Sequence, residues 1–213
     1  MKKLNTVLTI VLLIIIASCN NNPETKAVKE EVEETKGNAS QNIESKDYTI
    51  INMESKVNWS AQGVGHGHKG TVSIISGKFS IENTKISKGK ISINMTSIEI
   101  SDIKDPGENK DLTDHLIGDD FFNVSEFPVA SLEIIDGSDM NNVKAEMTIK
   151  GVTQEILFPI STSVIDGKVV LNSKLTIDRT KFGITYSSGN FFKDLGDHLI
   201  EDDIVLNVTL VAK

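Results

Sequence analysis

"VKAEMTIK", Val143 to Lys150, alternates without a slip. Val143, Ala145, Met147 and Ile149 are apolar, while Lys144, Glu146, Thr148 and Lys150 are polar. Successive side chains of a strand point to opposite faces, so a period of two describes a strand with one face on a core and the other in water. Working outward, the same period recurs. Val57, Trp59 and Ala61 share a face, as do Ile91, Ile93 and Met95. So do Val169, Leu171, Ser173, Leu175 and Ile177, and, at the end of the chain, Ile204, Leu206, Val208, Leu210 and Ala212. Ser76-Gly77, Lys88-Gly89, Asp136-Gly137 and Asp166-Gly167 are turn signals between such runs. The pattern predicts an all-β domain of roughly eight to ten antiparallel strands. Their single apolar faces must meet, either as a sandwich or as a sheet closed into a barrel. Near Ser97-Ile98 the apolar positions move from odd to even, which fits a bulge that bends a long strand, as a barrel needs.

The first part of the 213-residue chain is of another kind. Lys2 and Lys3 precede an apolar run from Val7 to Ile16, long enough for an export signal and too short to span a bilayer. Ala17, Ser18 and then Cys19 follow; Ile16-Ala17-Ser18-Cys19 resembles the lipobox of bacterial lipoproteins, which predicts residues 1–18 as a signal peptide and Cys19 as the lipidated N-terminus. Cys19 is the only cysteine, so a disulfide within one chain is excluded. Residues 19–46 are rich in Asn, Glu, Lys, Thr and Ser and nearly lack large apolar residues, which predicts an acidic, solvated tether. Residues 47–213 form one domain's length with room for a core. The formal charge of −8, more negative once Lys2 and Lys3 leave, and the lack of a basic cluster argue against nucleic acid as a partner.

Two stretches are nearly identical. "KDLTDHLIGDD", Lys110 to Asp120, and "KDLGDHLIEDD", Lys193 to Asp203, differ only at Thr113/Gly196 and Gly118/Glu201. If helical, each places a histidine four residues before an aspartate on one face (His115 and Asp119; His198 and Asp202), and His66 and His68 could chelate from one face of a strand. That is the metal-site reading. The architectural reading has two short amphipathic helices over the barrel ends, burying Leu112, Leu116 and Ile117 in one and Leu195, Leu199 and Ile200 in the other, with Asp111 and Asp194 at their N-termini. With no cysteine ligands and no strict spacing, the architectural reading is preferred, and no metal or cofactor is expected. His66 and His68, in "GVGHGHKG", read as solvated turn residues. Asp178-Arg179, with the only arginine, reads either as a structural bidentate pair or as a clamp for a ligand's polar head group, and the structural pair is preferred. Ser187-Ser188-Gly189 lacks the strand–turn–helix setting of a nucleophile elbow, so no catalytic residue is assigned.

"DHLIGDDFFNVSEFPVASLEI", Asp114 to Ile134, resembles the YceI-like family, whose signature is a His-Leu segment, an Asp-Phe-Phe and an aromatic-Pro pair opening the next strand. "KVNWSAQG", "HKGTVSIISGKF", "INMTSIEISD", "AEMTIKGVTQEILFPI" and "DRTKFGITY" resemble further family segments, in order, across residues 47–213. The resemblance implies an eight-stranded antiparallel lipocalin-like barrel, with one or two short helices at the barrel ends, in the bacterial envelope. It also implies binding of a long apolar lipid, isoprenoid or fatty-acid-like, inside the barrel and no shared catalytic residues. The pocket set follows from the alternation instead: Trp59, Ala61, Phe79, Ile93, Met95, Leu132, Ala145, Met147 and Phe158 face inward, and Phe121 and Phe122 close one end. The expected protein is a membrane-anchored lipoprotein facing the periplasm that carries or sequesters such a lipid. Its rivals are a metal-assisted hydrolase using the His and Asp side chains and a filled barrel serving as an interaction module.

Overall fold

The computed structural model describes residues 43–213. The expected signal, Cys19 and the tether as far as residue 42 lie outside the described residues. Ten strands form one antiparallel sheet: β1 (Asp47–Thr49), β2 (Lys56–Gly63), β3 (His66–Glu82), β4 (Lys85–Ile100), β5 (Val129–Asp136), β6 (Val143–Ile149), β7 (Val152–Phe158), β8 (Ser161–Ile165), β9 (Lys168–Asp178) and β10 (Ile200–Ala212). One α-helix, α1 (Pro106–Ile117), lies between β4 and β5.

The order in the sheet is β7-β6-β5-β4-β3-β2-β10-β9-β8, with β1 added beside β3. The two ends of this path, β7 and β8, are consecutive in the chain and separated only by Pro159 and Ile160. The sheet therefore curls until its ends meet at that step. β7 pairs with β6 and its continuation β8 pairs with β9. Pro159 has no N–H to give a ladder, which is why the strand breaks there. Counted as one interrupted strand, β7 and β8 complete the eight-strand ring expected, and β1 is the surplus. Where β7 passes the second half of β9 there is no ladder. Side chains tie the flanking segments instead: Gln154 Nε2 of β7 donates to Lys181 O in the turn after β9 (3.0 Å), and Ser173 Oγ of β9 donates to Pro159 O in the break between β7 and β8 (2.8 Å).

β3 and β4 make one long hairpin. Its turn is at Asn83 and Thr84, both with positive φ (51° and 66°), and not at Ser76-Gly77 or Lys88-Gly89 as the sequence suggested. Gly77 and Gly89 lie inside the strands, where other backbone or side chains approach. A Cβ on Gly77 would stand 2.3 Å from Ile50 Cδ1. The Asp166-Gly167 turn is where it was expected, with φ of 50° and 73°. The bulge expected near Ser97 is present: Glu99 pairs with Thr71, yet Asn94 pairs with Ser73, and Ser97 Oγ accepts from the Ser73 N–H at 2.8 Å.

α1 starts earlier than the repeated motif. Asp105 caps it, accepting from the N–H groups of Gly107 (2.9 Å) and Glu108 (3.0 Å), and Pro106 opens the first turn. Asp111 is thus inside the helix rather than at its N-terminus. Asp105→Ala should cost about 1 kcal/mol. Chemical denaturation would register this as a lower midpoint with an unchanged slope.

The second copy of the motif does not repeat this structure. Only Gly196–His198 form a 3₁₀ turn, and β10 begins at Ile200. Leu195 caps that turn with no side-chain oxygen, Asp194 and Gly196 have positive φ, and no Asp-Pro pair stands upstream. Leu195, Leu199 and Ile200 are half-buried, and Ile117 of the first copy is exposed rather than buried. The inward faces of the sheet and Leu116, Phe121 and Val124 at the end of α1 share one hydrophobic core. Residues 43–46, assigned above to the tether, already touch this body. Ile43 packs on the core, and Lys46 O accepts from the Ile81 N–H at 3.0 Å.

Candidate functional site

The alternation that builds the strands also leaves space between them. Two cavities occupy the barrel interior, of about 170 Å³ and 100 Å³. Val57, Ile93, Leu132, Met147 and Leu206 line both, so they are two lobes meeting at a waist of aliphatic side chains. An apolar cavity of about 150 Å³ stays dry and can take up a benzene-sized guest. A long chain would use both lobes by displacing the waist, where Met147 is the most adaptable member.

Most of the expected pocket residues line these lobes. Trp59, Ala61, Ile93, Met95, Phe121, Phe122, Leu132 and Met147 line the larger one. Phe79 and Phe158 line the smaller, together with Ile93, Leu132 and Met147. Ala145 is on the inward face and fully buried, but lines neither lobe; Ile134 and Ile156 are its cross-strand partners.

Polar side chains gather at one end of the larger lobe. Its lining includes Gln62, His66, His68 and Arg179 beside Leu112 and Leu116 of α1 and Ile200 of β10. The two repeated stretches therefore meet at this end of the barrel. His66 and His68 are not in a turn: they open β3 opposite Gly63 and Ala61, on the inward face, with His66 solvent-exposed as expected and His68 half-buried. The glycines of "GVGHGHKG" make room for side chains. The His66 ring lies over Gly63, where a Cβ would stand 2.6 Å from Nε2, and the Gln62 amide lies over Gly67. His66 Nδ1 meets Val64 O at 2.8 Å, and His68 Nδ1 meets Asp102 Oδ2 at 3.0 Å. Burial pushes the Asp102 carboxyl up, but hydrogen bonds from the Lys69 backbone N–H and from His68 outweigh it and hold the group below its ordinary value. Among the described residues, no three His, Cys, Asp or Glu side chains gather closely enough to share a metal ion. His115 stacks edge-on against Phe121 and Tyr186, with ring centres 5.0 Å and 4.6 Å away, and His198 is exposed.

Arg179 is the most deeply placed charge, 1% exposed. Its partner differs from the one expected. Asp178 turns away to accept from the Thr180 N–H, while the guanidinium donates to the carbonyls of Glu201 (3.1 Å), Ile184 (2.9 Å) and Ile200 (2.9 Å). Asp202 Oδ1 is 3.4 Å from Nη2, and the Phe121 ring centre is 5.8 Å from the guanidinium carbon. Burial pushes the Arg179 pKa down and the charges of Asp202 and Asp178 oppose this; the group stays protonated. It ties the turn after β9 to the start of β10 and so shapes the mouth. Trp59 Nε1 is enclosed without a hydrogen-bond partner.

Comparison with known proteins agrees with this architecture. The barrel is similar to the crystal structure of BcnA from Burkholderia cenocepacia, with a TM-score of 0.61 at 20% identity over 77% of this chain and 99% of that one. It is also similar to a polyisoprenoid binding domain from Saccharophagus degradans implicated in plant cell wall breakdown, with a TM-score of 0.59 at 13% identity over 78% and 97% of the two chains. At these identities the likeness shows the fold. A UPF0312 protein of Shewanella denitrificans is 24% identical over 127 residues, 56% of this chain; the match spans 64% of that relative's length. The sequence profile of the YceI-like domain matches residues 48–212, from β1 to the end of β10, and the chain belongs to that family.

Proposed function

We propose that this protein binds a long apolar lipid, of isoprenoid or fatty-acid type, along the axis of its barrel, and that it carries or sequesters that lipid as a lipoprotein of the bacterial envelope. The observation that carries the reading is the pair of unfilled apolar lobes joined at a waist of five aliphatic side chains. A barrel packed as an interaction module would fill this volume, since cores of native density leave few voids larger than water. The polyisoprenoid binding domain from Saccharophagus degradans, a protein of the same fold, supports the choice of ligand. The hydrolase alternative has less support. His115 is engaged by aromatic rings, His198 stands apart at the surface, and Asp202 faces Arg179. Binding without catalysis is the simpler use of an apolar interior. Titration of the full chain with a fluorescent isoprenoid should give saturable binding displaced by unlabelled lipid; no saturable binding would refute the reading.

The anchor rests on Ile16-Ala17-Ser18-Cys19. Acylation there would hold the protein on a membrane, since two or more chains give firm attachment, with residues 20–42 as tether. Cys19→Ser should move the protein from the membrane fraction to the soluble fraction of fractionated cells. An unchanged distribution would show that the cysteine is not the anchor.

A further inference from the structure

The histidine pair at the mouth has a defined hydrogen-bonding sense. Val64 O can only accept, so His66 Nδ1 carries the hydrogen; Asp102, held ionised by its own hydrogen bonds, likewise fixes the hydrogen of His68 on Nδ1. In the neutral rings each Nε2 is then a lone-pair acceptor, and neither has a hydrogen-bond partner among the described residues. His66 and His68 are two apart on the inward face of β3, with ring centres 6.1 Å apart. The other strong polar group there, Arg179, already donates to three carbonyls. The two histidine Nε2 atoms are thus free acceptors on the inward face, and the indole N–H of Trp59 is a free donor there. Trp59 pairs with Gly70, two residues beyond His68 on the same face, and its N–H lacks a partner.

Building on the proposed lipid binding, we infer that the mouth recognises a hydrogen-bond-donating head: the lipid is a long-chain alcohol or phenol whose hydroxyl hydrogen goes to the Nε2 of His66 or His68. A hydroxyl answers both kinds of free group, since its oxygen can also accept from the Trp59 N–H once the indole turns toward it. An ether, ester or quinone oxygen could answer only the donor. Asp102 and Val64 act as positioning groups, because they fix the tautomers and present Nε2.

The test compares geranylgeraniol with its methyl ether, titrated into the full chain and into the His66→Phe and His68→Phe variants. The ether keeps the chain and the accepting oxygen and removes only the donated hydrogen. The parent should prefer the alcohol by about tenfold, within the range of a hydrogen bond to a well-placed acceptor. At least one Phe variant should bring the two probes to within about twofold of each other. Equal binding of alcohol and ether by the parent overturns the head-group inference and leaves lipid binding standing. A preference that survives in both variants also overturns it. Saturable binding of neither probe overturns the lipid-binding reading, and this inference with it. The alcohol-to-ether ratio in the parent decides the question even if a variant fails to fold.

Discussion

Arg179→Leu should cost the fold about 3–5 kcal/mol, the range for removing one member of a buried charge system. In a domain of this length that lowers the thermal midpoint by on the order of 10 °C. The cost has two parts. The carbonyls of Ile184, Ile200 and Glu201 lose their donors in a place water does not easily reach. Asp202, half-buried beside the guanidinium, loses its counter-charge. Arg179→Lys should recover only part of this, since an ammonium cannot reproduce a planar fork aimed at three carbonyls. Calorimetry on the three proteins gives the ranking: parent, then lysine, then leucine. Equal midpoints for parent and leucine variant would show that the carbonyls find other partners and that Arg179 does not set the mouth.

Ala61→Leu and Ala145→Phe should separate binding from stability. Ala61 faces the larger lobe, so the added carbons enter empty space, with a cost of under about 1 kcal/mol. The same carbons occupy volume the lipid needs, and affinity should fall by at least about tenfold, some 1.4 kcal/mol. Ala145 is fully buried and lines neither lobe, with Ile134 and Ile156 as its cross-strand partners. Phenylalanine there must displace Ile134 before it reaches the smaller lobe and should cost about 1–3 kcal/mol or more, as overpacking does. Thermal midpoints and isoprenoid titrations of both variants make the check. A large drop in midpoint for Ala61→Leu would mean that the larger lobe does not exist in solution.

The strands were legible because a period of two needs no tertiary information. "VKAEMTIK" is β6 and the first residue of its turn, and the odd–even switch near Ser97 is a real bulge. The ring closure was not legible. It depends on a strand that changes partners at Pro159, and nothing local says which neighbour each half will choose. The glycines misled at Gly77 and Gly89, where they serve close approach inside a hairpin whose actual turn has Asn83 and Thr84. Asp105-Pro106, a cap followed by a proline at the first helical position, was a readable start for α1. Its absence before Lys193 explains why two nearly identical stretches fold differently. The cavity-lining residues of the strands followed from alternation, but Ala145 shows its limit: alternation tells inward from outward, not cavity from packed core. The partners of Arg179 could not be read either, since backbone carbonyls leave no trace in the sequence.

If the barrel interior holds a long apolar lipid, protein purified out of its native membranes carries that lipid, and mass spectrometry of its organic extracts detects it. The spectra should show one long-chain lipid in near-equimolar amount with the parent protein and strongly depleted from Ala61→Leu. No lipid above background in the folded parent, or equal amounts in parent and variant, would contradict lipid binding inside the barrel.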